Sequence, residues 1–397
     1  MFSKHLICLI CLCTIGSAQA QIKQEKSKVY DSIPVMGSDT ETFALYLPES
    51  HVAAEPSPII FIFEPAARGS VGVSSFIKAS ERYGYILVCS NDSKNGPYDR
   101  NFDIANRLFD TVFTRILIKE DEMYVAGFSG GSRLASAIAS LTNRFVGVIA
   151  CGAGFSGTQE HIPSTQDYAY VGLCGDRDMN YSEMLGNTDY LDLMKFNSTL
   201  MTYSGEHKWP PQRQLVRAFD WLHLQKLKKN GALPLDTALK HYTSDYARIA
   251  TFITDQEFLL ASEEYERLIQ TYNGLLAIDS LKAQHKTFKN SKDYKKQRTA
   301  LDNALVLEGR LKTKLGGRLL TNFKKPDASN FSWWEKELDK LNKLRTKEDS
   351  ELKKMVYRLK FSLYVRAYSW KNTLMHTPSE KQSEFIDRFI ALLYLKK

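Results

Sequence analysis

Cysteine is scarce and badly placed for cross-linking. The 397-residue chain has six, and Cys8, Cys11 and Cys13 all fall within the first twenty residues. Cys89, Cys151 and Cys174 remain, an odd number without regular spacing, which argues against a disulfide framework and against a zinc cluster. Each lies near the end of an apolar run and reads as a small buried hydrophobe. Long hydrophobic runs are missing as well. No segment beyond the leader has the roughly 18 uninterrupted apolar residues that a bilayer-spanning helix needs. Histidine is sparse, eight in all, so few side chains are available to titrate near neutral pH. A nucleic-acid motif is also lacking, which removes the obvious partner for a chain of net charge +8.

The first residues carry a pattern of their own. Met1–Lys4 supplies a short positive region, His5–Ile15 a mostly apolar run, and Ser17-Ala18-Gln19-Ala20 an A-x-A site before Gln21. That is the layout of a secretory signal peptide, and the run is too short for a membrane anchor. The expectation is removal of residues 1–20 and a secreted or periplasmic mature protein.

From about Lys28 to Lys226, β-branched and aromatic runs alternate with helical patterns. Lys28–Met36 and Glu41–Leu47 flank the turn Gly37-Ser38-Asp39-Thr40, and Pro34 marks the first of them as an edge strand. Pro58–Glu64 is apolar throughout, as in a strand buried on both faces. Strands are then expected at Tyr85–Ser90, Met123–Phe128, Phe145–Cys151, Tyr168–Cys174 and Ser198–Tyr203, with helices between them and Gln212–Lys226 last. Such alternation predicts an α/β architecture, a mostly parallel sheet covered by helices on both faces.

After Gly231 the strand signals stop. Long helical patterns follow, with punctuation near Gly274, Gly316-Gly317, Pro326 and Pro378. The chain is therefore divided into a leader, 1–20, an α/β part, 21–230, and an all-α C-terminal domain, 231–397. Phe258–Gly274 has the small-then-aromatic spacing of a tetratricopeptide helix, but no second copy recurs at a fixed period, so the repeat class stays open. Residues 21–230 carry roughly −3 and residues 231–397 roughly +10. A basic helical module offers a surface for an acidic polymer or a membrane, or simply a lysine-rich solvated face. The oligomeric state is not legible.

The chemistry concentrates in Gly127-Phe128-Ser129-Gly130-Gly131, a G-x-S-x-G between an apolar strand and an Ala-rich helix. A serine on a tight strand-to-helix turn needs small neighbours, and the turn aims a helix N-terminus at developing negative charge. Partners in the order acid, then histidine, should each follow a later strand. Asp176 and Asp178 follow Tyr170–Cys174, and Asp178 is preferred as the acid, with Asp176 capping the turn or supporting the loop. His207 follows Ser198–Tyr203; His51, His161, His223, His241, His285 and His376 are placed for packing or surface roles. Oxyanion donors are expected from the N–H of Gly130 and from the loop after Pro58–Glu64. There Pro65 has no N–H, Ala66 is the first choice and Ala67 the second, while Glu64 and Arg68 form a structural ion pair. The polar loop Ser90–Arg100 should border the same sheet edge, so that Tyr98 and Trp209 stack on substrate or simply pack in loops.

These motifs bear a family resemblance. Residues 30–226 resemble the α/β-hydrolase superfamily, nearest to dienelactone-hydrolase-like and polyhydroxybutyrate-depolymerase-like esterases. The likeness rests on the Ser129 elbow, on Gly175-x-x-Asp178-x-x-Tyr181 and on Gly205-x-His207-x-Trp209-Pro210. Glu64-Pro65-Ala66 departs from it, where many relatives have His-Gly. The resemblance implies a serine hydrolase cleaving carboxylic esters by a Ser-His-Asp triad through an acyl-enzyme, with no metal or organic cofactor required. The expected substrate is a small-molecule ester or one borne on a polymer. Phe155–Asp167 is too short for an inserted lid, so the pocket is expected to be open unless the helical tail covers it. A serine peptidase on the same fold, and a binding protein using that fold as a scaffold, are the alternatives.

Overall fold

The computed structural model describes residues 24–374 and 379–394. The leader, His376 and Pro378 lie outside the described residues. Strands β1 (Val29–Pro34), β2 (Thr42–Tyr46), β3 (Ser57–Phe63), β4 (Ile86–Ser90), β5 (Ile118–Phe128), β6 (Gly147–Cys151), β7 (Ala169–Arg177) and β8 (Ser198–Glu206) form one sheet. Its order is β1-β2-β4-β3-β5-β6-β7-β8. β2 runs antiparallel to β1 and β4, and every other neighbouring pair is parallel. β1, with Pro34, is an edge, where a missing N–H does the least harm.

Helices α1 (Gly69–Tyr83) and α5 (Gln212–Lys229) cover one face, and α2 (Tyr98–Arg115) and α3 (Gly130–Thr142) the other. β3 shows why an unbroken apolar run was needed. Its Ile59, Phe61 and Phe63 pack with Leu108, Val112, Leu134 and Ile138, while Ile60 and Ile62 pack with Phe76 and Phe219 across the sheet. Burying a side chain of this size contributes about 1.5–3 kcal/mol, so both faces reward the run. α4 (Tyr181–Leu193) follows the acid turn. Cys89, Cys151 and Cys174 are buried and unpaired, and burial pushes all three thiols up.

Three sequence boundaries move. The loop after β4 ends at Pro97, because α2 already starts at Tyr98; the fixed φ of proline, −57° here, suits a helix entry. β5 begins at Ile118, its polar first half hidden from a hydrophobic reading, and its register against β3 shifts between Ser57 and Ile59. Gly316-Gly317 does not interrupt the tail, since one helix runs unbroken from Lys292 to Lys324. At Gly316 a Cβ would come within 2.8 Å of Arg366 Nη1, so this glycine lets an arginine approach rather than ending a helix.

The C-terminal region is entirely helical among the described residues: α6 (Leu235–Thr254), α7 (Phe258–Tyr272), α8 (Asp279–Lys289), α9 (Lys292–Lys324), α10 (Asn330–Arg345), α11 (Ser350–Leu374) and α12 (Glu380–Tyr394). None of the described helices is long and apolar enough to cross a membrane. Gly231 (φ 63°) lies in the connection from α5 to α6, and Gly274 (φ 79°) follows α7, both in the left-handed region where a Cβ is disfavoured. Two clusters hold the region together, one linking α6, α7 and α8 to α5, the other joining α9 to α12.

Helix α7 also protects the second edge of the sheet. Thr202 N–H of β8 donates to Glu263 Oε1 at 2.9 Å, and Arg267 Nη1 donates to Leu200 O at 3.2 Å. Covering an edge strand in this way satisfies backbone groups that would otherwise invite pairing with another chain. The same contact contains a buried charge cluster. Glu264 accepts from Arg217 of α5 at 2.7 Å and from Arg248 of α6 at 3.1 Å, and it pairs with Arg267. Burial pushes the Glu264 carboxyl up, but the three guanidiniums outweigh it and hold the group at about 2 against an ordinary 4.5. A depressed acid contributes stability above its unfolded value and loses it as pH falls through the folded one. Glu264→Gln should therefore cost on the order of 3 kcal/mol at pH 7, by urea unfolding. The gap from the parent protein should narrow as pH falls from 4.5 towards about 2.

Candidate active site

The serine turn is shaped by its glycines. Ser129 takes φ 54° and ψ −120°, a conformation that costs of order 1–3 kcal/mol for a residue with a Cβ. A Cβ on Gly127 would strike the backbone of Gly131, and one on Gly131 would strike Phe63 O. Ser129 N–H donates to Cys151 O at 2.8 Å, tying the turn to β6. α3 starts at Gly130, so its first N–H groups have no partner within the helix.

The acid and the histidine arrive on neighbouring strands, and another pair of glycines sets their spacing. β7 and β8 both run past the ends expected from sequence, to Arg177 and Glu206. A Cβ on Gly175 would collide with the backbone of Gly205, so the two strand ends approach more closely than side chains allow. Beyond them, both Asp178 carboxylate oxygens lie 2.8 Å from His207 Nδ1. His207 Nε2 lies 3.0 Å from Ser129 Oγ. A carboxylate only accepts, which assigns the proton to Nδ1 and leaves Nε2 as the acceptor facing the serine. Asp178 is 1 % exposed and also accepts from Asn180 N–H at 2.8 Å.

Asp176 occupies a different position. It accepts from Gly205 N–H at 3.1 Å and pairs with Lys354 of α11 at 3.0 Å. It thus fastens the end of β7 to β8 and to the tail, without reaching the imidazole.

This sheet order, with a strained serine between the fifth strand and the next helix, is decisive. The chain has the α/β-hydrolase fold. No family model matches the sequence, and no curated protein does. Among solved structures it is similar to the S-formylglutathione hydrolase FrmB of Staphylococcus aureus, at 17% identity over 50% of this chain and 98% of that one, TM-score 0.42. It is also similar to the fluorophosphonate-binding serine hydrolase FphF of S. aureus, at 15% identity over 49% of this chain and 97% of that one, TM-score 0.41. A third is Est1E of Butyrivibrio proteoclasticus, at 12% identity over 51% of this chain and 100% of that one, TM-score 0.40.

Two sequence expectations need correction. Ala66 N–H does not face the serine as a free donor: it donates to Glu64 Oε2 at 2.7 Å. Ala67 N–H donates to Glu64 O at 3.1 Å and Arg68 N–H to Glu64 Oε2 at 3.1 Å. Glu64 is 1 % exposed, and its buried carboxylate draws the Ala66 and Arg68 N–H groups and the Arg68 guanidinium around itself. Trp209 packs against Phe76 and Phe128, with ring centroids 5.7 and 5.4 Å apart, and is absent from the walls of the serine cavity. Its role is to back Phe128, which in turn lies 4.7 Å from the His207 ring.

Tyr98 lines the cavity from the first turn of α2, its ring 4.7 Å from that of His161. Gly130 lines it too. The cavity above Ser129 has a volume of about 350 Å³ and polar walls that include Ser93, Asn95, Asn101 and Asn180.

The sequence allowed for a tail over the pocket but pointed to none of the residues that form it. Phe361 of α11 lies 5.7 Å from the His207 ring, and Val365 lines the serine cavity. Underneath, Arg358 is fully buried with Glu308 of α9, and its Nη1 donates to Asp176 O at 2.7 Å. Lys312 reaches Met179 O and Ser182 Oγ, both at 3.0 Å. The turn that carries Asp178 is therefore held from below by two tail helices. Helical periodicity shows that these residues share faces, but not what those faces meet.

The geometry separates the two aspartates experimentally. Asp178→Asn should slow fluorophosphonate labelling of Ser129 by about 10³- to 10⁴-fold, because it no longer fixes the imidazole tautomer. Asp176→Asn should leave labelling within about tenfold of the parent, since it acts through backbone placement. Labelling rates followed by gel fluorescence check both.

Proposed function

We propose that the protein is a serine hydrolase that cleaves carboxylic esters through an acyl-enzyme on Ser129. The observation that carries this reading is the unbroken hydrogen-bond chain Asp178–His207–Ser129, at 2.8 and 3.0 Å, opening into a cavity.

The chemistry follows from the arrangement. Ser129 Oγ attacks the ester carbonyl carbon as His207 Nε2 takes its proton, and Asp178 stabilises the imidazolium that results. The carbonyl oxygen becomes an oxyanion next to the Gly130 N–H, at the positive end of α3. Collapse of the intermediate breaks the bond to the alcohol, which leaves with the proton from His207. A water molecule then attacks the acyl carbon, with His207 as base, and releases the acid and free Ser129. Every proton is accounted for by the imidazole, so no metal or organic cofactor is invoked.

Polar cavity walls favour an ester whose acyl or alcohol part carries hydroxyl or amide groups, which hydrogen-bond in place of water. Phe361 and Val365 limit the site from the tail side, in place of an inserted lid. The leader-like pattern at residues 1–20 supports action outside the cytoplasm.

Turnover of p-nitrophenyl acetate is expected for the parent protein and should drop at least 10⁴-fold in Ser129→Ala. Matched peptide anilides should be hydrolysed far more slowly than esters. Undiminished ester turnover by Ser129→Ala would refute the assignment, and preferred anilide cleavage would mark a peptidase instead.

A further inference from the structure

One backbone donor is not enough for the oxyanion that the proposed reaction creates, and the loop expected to provide the second has none to spare. Pro65 lacks an N–H, and those of Ala66, Ala67 and Arg68 are all taken by Glu64. A second donor has to come from another element at the cavity.

We infer that the side-chain amide of Asn95 is this donor, a catalytic residue that completes the oxyanion hole opposite Gly130 N–H. Asn95 lies on the loop between β4 and α2 and lines the cavity with Ser129 and Gly130. Its amide rests against the Gly130 backbone so closely that a Cβ at position 130 would collide with Asn95 Oδ1, while Nδ2 lies 3.4 Å from the same point. Glycine at position 130 leaves room for this amide.

The backbone of the loop is fixed where the side chain is not. Asn95 N–H donates to Pro65 O at 2.9 Å, Ala66 and Lys94 form an isolated bridge, and Asn101 Nδ2 donates to Lys94 O at 2.8 Å. Ser90 Oγ accepts from the N–H groups of Asp92 and Ser93 at 3.1 and 3.0 Å. By contrast, no hydrogen bond among the described residues ends on the Asn95 carboxamide. A half-turn about Cβ–Cγ exchanges Oδ1 for Nδ2 and presents an N–H donor to the growing negative charge, without breaking an existing bond. Preorganised donors of this kind act on the transition state far more than on the bound ester.

This inference rests on the proposed ester hydrolysis, and one experiment separates the two. With p-nitrophenyl acetate, Asn95→Ala should lower kcat about a hundred- to thousandfold with KM within about threefold of the parent. Asn95→Asp, of equal size but acceptor-only at neutral pH, should be at least as impaired. Affinity for an arylboronic acid, which mimics the tetrahedral state on Ser129, should weaken in parallel, while the melting temperature of both variants stays that of the parent. If the parent is active and Asn95→Ala keeps kcat within threefold, or loses only KM, the assignment of Asn95 fails and the hydrolase reading stands. If the parent neither turns over esters nor binds the boronic acid, both fall together.

Discussion

A neutral imidazole has one nitrogen that donates and one that accepts, and the contact between His207 and Asp178 decides which is which. With the proton held on Nδ1, Nε2 is free to face Ser129 Oγ at 3.0 Å. The reverse tautomer would set the Nδ1 lone pair against a carboxylate that only accepts and leave the serine without a base. Much of the surrounding structure serves to keep this ring in place. Phe128 flanks it on the sheet side, backed by Trp209, and Phe361 reaches it from the tail. Asp178 is kept in line by a turn clasped between Gly205 and two helices that lie far along the chain.

That clasp explains why the helical region is more than an appendage. Arg358 and Glu308 are fully buried, and a buried ion pair gains little in net stability over apolar packing of the same size. What it does offer is direction: the guanidinium has donors left over, and one is spent on Asp176 O. α7 does similar work at the far edge, where Glu263 and Arg267 complete the hydrogen bonds of β8, the strand that delivers His207. The tail thus bears on the acid turn, the histidine strand and the cavity wall at once.

The sheet was legible in the sequence because burial on two faces leaves an unmistakable run such as Pro58–Glu64, and the elbow because its glycines answer a steric demand. The positions of Asp178 and His207 after successive strands could be read for the same reason. Less visible were features set by burial of charge or by tertiary neighbours. Nothing in Glu64-Pro65-Ala66 announces that the carboxylate turns inward and takes the local amides. Trp209 looked available to a ligand, yet it packs against Phe76 and Phe128. Gly316-Gly317 resembled punctuation, but there the missing side chain makes room for Arg366. The faces of α11 carry no label saying that they meet the His207 imidazole.

In the proposed reaction Ser129 is a nucleophile that carries the acyl group between two half-reactions. Acid quenching during steady-state turnover of an activated ester, followed by peptide mapping in a mass spectrometer, tests it directly. One acyl group per chain is expected, located on the hydroxyl of Ser129. Turnover with no acylated peptide, or with the acyl group on another residue, would contradict it.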